Sequence, residues 1–146
     1  MNTPILIRDH FENAKQYNLP RADLIICDLP YELGEKMYAS NPSWDNKGDR
    51  TQGESKLAHK AAFNTDKSIP RIHPTQKPVR LLKRLISIFT DPGDVVIDCC
   101  AGSGSTLRAA WELERRAYGF EVDRRFFTDA VEQMLAPAFV SQPDCT

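Results

Sequence analysis

Four residues late in the chain have the types and spacing of a nucleoside site. Asp98 stands near the end of the apolar run 95–99, Gly102 and Gly104 make a tight turn after it, and Glu121 ends the next apolar run, 117–121, 17 residues beyond Gly104. Glycines let the backbone turn sharply beside a ligand, and an acid at about this spacing accepts hydrogen bonds from ribose hydroxyls. A lone Gly-x-Gly turn also joins strands to helices without any ligand, so the turn by itself leaves both readings open. Leu107 stands where a dinucleotide fingerprint has its third glycine. That disfavours a dinucleotide and leaves a nucleoside without a pyrophosphate. A second group, Asp28-Leu29-Pro30-Tyr31, follows the apolar run 22–27. Alone it reads as an ordinary strand-ending turn; beside a cofactor unit it offers an acid and an aromatic platform to a substrate. His59, His73 and the cysteines have no zinc-site spacing, so no metal is expected. Cys27, Cys99, Cys100 and Cys145 contain no C-x-x-C pair and are expected to be reduced thiols in or near the core.

Holding these residues together requires a sheet. Residues 4–8 and 22–27 read as short buried strands, the second continuously apolar as in a parallel sheet covered on both faces. Residues 11–18 have helical spacing over a brief stretch. Thr75 and Pro78 open a helix in which Leu81, Leu82, Leu85, Ile86 and Phe89 recur at three- and four-residue spacing, closed by Asp91-Pro92-Gly93-Asp94. A strand over 95–99, the glycine turn, a helix to about Arg116 burying Leu107, Ala110, Trp111 and Leu113, a strand over 117–121 and a helix over 125–135 complete the pattern. Trp111, Phe126 and Phe127 sit at core spacing and are assigned to packing. This alternation predicts an α/β fold with a doubly wound, mostly parallel sheet. Residues 32–72 are different, polar and interrupted by Gly34, Pro42, Gly48, Gly53 and Pro70. They form a loop-rich region with one short helix over about 54–63.

The 146 residues, 41% hydrophobic, suit a single domain, 1–146. No run approaches membrane-spanning length and the first residues lack a signal layout, so a soluble, cytoplasmic protein is expected. Net charge is −1 and steers the molecule to nothing, yet residues 67–90 carry six Lys or Arg and no acid. Such a stretch either meets phosphates or is a solvated helix face.

Three motifs carry a family resemblance. I-D-C-C-A-G-S-G-S-T (97–106) resembles the cofactor motif D-P-F-x-G-S-G-T-T of DNA amino-methyltransferases, with Cys99 and Cys100 for Pro-Phe and Ser105 for the first Thr. R-I-H-P-T-Q-K-P (71–78) is similar to the H-P-T-Q-K-P segment before their cofactor strand, and D-L-P-Y (28–31) to their catalytic D-P-P-Y, with Leu29 for the first proline. Residues 7–12 are similar to the family's G-D-C-L-E, and Ser43-Trp44-Asp45 to a W-D that follows the catalytic tetrapeptide. The catalytic motif precedes the cofactor motif, as in the permuted β-type.

The resemblance implies a Rossmann-like methyltransferase fold, incomplete here, that uses S-adenosyl-L-methionine to methylate adenine N6 in double-stranded DNA. Cytosine N4 is the alternative target, and Asp rather than Ser at position 28 leans toward adenine. It implies cofactor contacts by Asp9, His73, Thr75, Lys77, Asp98, Ala101, Gly102, Ser103, Gly104 and Glu121, with Lys77 at the cofactor carboxylate. Asp28, Leu29, Pro30 and Tyr31 become the catalytic group. Only 41 residues separate Tyr31 from His73, too few for the family's further strands and its target-recognition region. A homodimer or a second subunit would then supply recognition. The competing expectation is a truncated, inactive remnant that binds cofactor, DNA or a partner without turnover.

Overall fold

The computed structural model describes residues 3–27, 68–73 and 76–140. In chain order these form strand β1 (Ile5–Ile7), a 3-10 helix (Phe11–Tyr17), strand β2 (Leu24–Ile26) and helix α1 (Val79–Phe89). Strand β3 (Val95–Asp98), helix α2 (Ser105–Glu112) and strand β4 (Arg116–Phe120) follow. Helix α3 (Arg124–Asp129), a π-helical turn (Ala130–Met134) and helix α4 (Ala136–Val140) end the described chain. The strands make one sheet in the order β1-β4-β3-β2, every pair parallel, which is the α/β architecture expected. Parallel strands put all their carboxyl ends on one edge, where ligands of such sheets bind.

Side-chain alternation divides the sheet into two faces. Val96, Ala117, Leu6, Leu24 and Ile26 face a core built with Val79, Leu82 and Ile86 of α1, Leu107, Ala109 and Ala110 of α2, and Met134 and Leu135. Gly119 lies under α2, where a Cβ would come within 2.6 Å of Leu107 Cδ1. The absence of a side chain there lets the helix settle on β4. On the opposite face Phe120 meets Phe11 and Tyr17 of the 3-10 helix edge-on, with ring centroids 5.4 and 5.8 Å apart. At the sheet's other end Asp23 ties β2 to β3: its N–H bonds the Val95 carbonyl at 2.9 Å, and its Oδ2 accepts the Val95 N–H at 2.8 Å.

Several element boundaries differ from the sequence expectation. Helix α1 begins at Val79, with Pro78 just outside it at ψ 128°. Its buried stripe is Val79, Leu82 and Ile86, leaving Leu85, Ile88 and Phe89 exposed, because α1 rests on α2 and the sheet along one line only. Helix α2 stops at Glu112, short of Arg116, because Glu114 takes φ 65° and turns the chain back into β4. Arg115 is buried at that bend. Its guanidinium donates to Thr90 Oγ1 at 3.0 Å and to the Thr90 and Leu113 carbonyls at 2.5 Å each, tying the ends of α1 and α2 together. The helix expected over 125–135 changes to π geometry after Asp129, with Leu135 N–H reaching the Ala130 carbonyl at 2.9 Å. Among the described residues no helix is long and apolar enough to cross a membrane.

Candidate functional site

Strand β3 delivers Asp98 to the carboxyl edge of the sheet, buried, with Oδ1 accepting the Cys100 N–H at 3.0 Å. The chain then bends through Ala101, whose N–H bonds the Phe120 carbonyl at 2.8 Å, and through Gly104, whose N–H returns to the Ala101 carbonyl at 2.8 Å. Gly102 and Gly104 hold φ of 51° and 76°, left-handed backbone that strains any residue with a side chain. Glu121, just past β4, accepts the Gly102 N–H on Oε2 at 2.8 Å and the Asp123 N–H on Oε1 at 2.7 Å. The acid and the glycine turn, 19 residues apart, are therefore one unit. Asp123 in turn caps α3, its Oδ1 accepting the Arg125 and Phe126 N–H groups at 2.8 and 3.1 Å.

His73 comes to the same turn from the segment before α1. Its ring lies 3.7 Å from the position a Gly102 Cβ would take, and it stacks at a tilt on Phe126, centroids 4.2 Å apart. Gln76 fixes that segment, accepting the Ile72 N–H on Oε1 at 2.9 Å and donating from Nε2 to the Pro70 carbonyl at 2.8 Å. Neither Gln76 nor Phe126 was expected at the site. Phe126 has the spacing of a core residue, and only its partnership with His73 distinguishes it.

The other expected residues are placed as follows. Ser103 is buried in the turn, its hydroxyl paired with that of Ser105 at 2.8 Å. Lys77 is exposed at the approach to α1. Asp9 lies two residues past β1, beside the end of β4, where the Glu121 N–H bonds the Ile7 carbonyl at 3.0 Å. Its carboxylate accepts Tyr17 OH at 2.6 Å, Asn13 Nδ2 at 2.8 Å and the His10 N–H at 2.7 Å. Those bonds, Tyr17's first, hold its carboxyl below the usual range, and the same bond raises Tyr17. Asp9 thus anchors the 3-10 helix. Thr75 and the group Asp28, Leu29, Pro30 and Tyr31 lie outside the described residues. Cys27, immediately before that group, stands at the carboxyl end of β2; it is exposed, where a buried or near-core thiol was expected. Of the basic stretch, Lys83 pairs with Glu112, which also binds Arg108 Nε at 2.7 Å. Burial pushes the Glu112 carboxyl up, but bonds from Lys83 and Arg108 outweigh it and leave the group below its ordinary value.

A half-buried carboxylate, two bent glycine backbones and a tilted imidazole–phenyl pair lie side by side. That combination suits a ribose and a base.

The relatives agree in kind. A family model described as DNA methylase matches residues 44–132, which leaves β1, β2 and the Asp28 group outside the match. The type II methyltransferase M.HindIII of Haemophilus influenzae is 42% identical over 62 residues, 42% of this chain and 20% of that protein. M.BglII of Bacillus subtilis is 37% identical over 65 residues, 44% of this chain and 18% of that one. The chain spans less than a third of the length of the curated relatives it matches. Among solved structures, the M1.HpyAVI–SAM complex is 43% identical over 42% of this chain and 30% of its own, with a TM-score of 0.41.

Proposed function

The chain belongs to the DNA methylase family, and from that premise we propose that it binds S-adenosyl-L-methionine at the turn between β3 and α2 and transfers its methyl group to adenine N6 of double-stranded DNA. The observation that carries the reading is the bond between Glu121 and Gly102, which puts a ribose-binding acid and a ligand-admitting turn side by side. The cofactor supplies an electrophilic sulfonium methyl. Glu121 would accept the ribose hydroxyls, while His73, Phe126 and the Gly102 backbone line the approach.

The exocyclic nitrogen of adenine is a poor nucleophile because its lone pair is delocalised into the ring. Asp28 would accept one amino hydrogen and a main-chain carbonyl at Leu29–Pro30 the other, localising that lone pair on a base flipped out of the duplex, with Tyr31 stacked on its face. Positioning and acceptors aimed at charge developing on nitrogen carry most of the acceleration. Asp rather than Ser at position 28 favours adenine, with cytosine N4 as the alternative target. Phosphate contacts fall to the exposed Arg71, Lys77, Arg80 and Arg84, with sequence readout left to a second subunit.

The test is transfer of labelled methyl from S-adenosylmethionine to duplexes bearing adenine, N6-methyladenine or cytosine only. Label entering the first alone supports the reading. Label entering cytosine duplexes equally would move the target to N4. Tight cofactor binding with no transfer to any duplex would favour the inactive remnant.

A further inference from the structure

Three thiols meet at the carboxyl ends of β2 and β3. The parallel register Leu24↔Val96, Ile25↔Ile97, Ile26↔Asp98 continues through the bond from Cys99 N–H to the Ile26 carbonyl at 3.3 Å, which brings Cys27 beside Cys99. By alternation both side chains leave the same face of the sheet. Interaction with the Cys27 thiol adds to the upward shift of both Cys99 and Cys100. Neighbouring strands lie about 4.8 Å apart, inside the Cα separation of about 4.4–6.8 Å that a disulfide spans. Exposure is unequal: Cys27 is open to solvent, Cys100 half-buried and Cys99 buried.

We propose that Cys27 and Cys99 are a modification site, joined by a reversible cross-strand disulfide when the protein meets hydrogen peroxide. Exposed Cys27 reacts first. Its sulfur attacks one peroxide oxygen, S–O forms as O–O breaks, and the Cys27 proton leaves with the departing hydroxide as water, giving a sulfenic acid. The Cys99 sulfur then attacks the Cys27 sulfur, the S–S bond forms as S–O breaks, and the Cys99 proton leaves with the departing oxygen as water. Overall, two thiols and one peroxide give one disulfide and two waters, the sulfurs oxidised and the peroxide oxygens reduced. Burial, chiefly, pushes Cys99 up to about 12 and Cys100 to about 11, so neither competes with Cys27 for the oxidant, and Cys99 attacks only as its proton passes to the departing sulfenic oxygen. Neither cofactor nor DNA is needed for the bridge. Its consequence is local: the bridge clamps the residue preceding Asp28 to the strand that leads into the Gly102 turn.

The experiment treats the full chain with a small excess of hydrogen peroxide, blocks remaining thiols, and maps peptides without reduction, using fragmentation to separate Cys99 from Cys100. The expected result is an intramolecular Cys27–Cys99 link that dithiothreitol removes. Cys27→Ser should abolish it, and Cys100→Ser should leave it intact. Cys99→Ala, should that buried change still fold, should leave Cys27 as a trapped sulfenic acid that dimedone labels. A dominant Cys27–Cys100 or Cys145 link, intermolecular dimers only, or over-oxidation of Cys27 without any link would each overturn the assignment.

Discussion

The pairing of Glu121 with the glycine turn was legible from sequence because it depends on spacing along one βαβ unit, and the Gly102 bond realises that spacing. Phe126 and Gln76 were not, because each acts through a contact between segments distant in sequence: Phe126 on His73, Gln76 on the Pro70 and Ile72 backbone. Asp9 is the reverse case, a motif residue whose carboxylate is occupied by Tyr17, Asn13 and His10. On the proposed mechanism, replacing Asp28 by Ala should lower methyl transfer by about a hundredfold or more while the circular-dichroism spectrum stays unchanged, because an acceptor for the developing charge is lost. Retained turnover would remove Asp28 from the mechanism. A pH test belongs to Glu112. Its folded carboxyl titrates below the unfolded one, so the Lys83–Glu112–Arg108 cluster contributes stability above the unfolded value and loses it as pH falls through the folded one. Urea midpoints of the unmutated chain and Glu112→Gln should therefore differ near neutrality and converge below the ordinary carboxylate range. A gap that persists there would deny the cluster its charge-dependent part.

Among the elements, the strand–helix alternation was plain because apolar runs mark strands and glycine or proline marks turns, but β1 and β2, expected to be buried, leave Ile5 and Ile25 48% and 55% exposed. Boundaries were less plain. The bend at Glu114 and the burial of Arg115 have no local pattern, since the partners of that guanidinium are the Thr90 hydroxyl and carbonyl, 25 residues earlier. The face of α1 was misjudged for a related reason: its apolar residues cover more of the helix than the neighbours can bury, and packing chose Val79, Leu82 and Ile86. Helix α2 approaches β4 closely at Gly119. Gly119→Ala should destabilise the fold by about 1–3 kcal/mol, because the added methyl meets Leu107 at 2.6 Å in a packed core. Denaturant unfolding reads this directly, and a change under about 0.5 kcal/mol would mean that Leu107 gives way freely.

At the scale of the whole molecule, the sequence over 32–72 was expected to hold loops and one short helix, and 32–67 lie outside the described residues, whereas base readout needs an element presented to a groove. With Lys83 held by Glu112, the exposed basic groups can meet phosphates but specify nothing. Duplex binding by the isolated chain should therefore be weak, steeply salt-dependent and indifferent to sequence. Fluorescence anisotropy with one duplex and its scrambled versions checks this, and strong preference for one sequence at physiological salt would locate a recognition element within the chain. The central claim, that Glu121 and the Gly102 turn hold S-adenosylmethionine, is tested most directly by calorimetric titration of the reduced chain and of Glu121→Ala. The account predicts one site in the unmutated chain, weakened in the variant by on the order of 1.5–3 kcal/mol with the loss of charge-assisted hydrogen bonds. Equal affinity in the two proteins, or no binding in either, would contradict it.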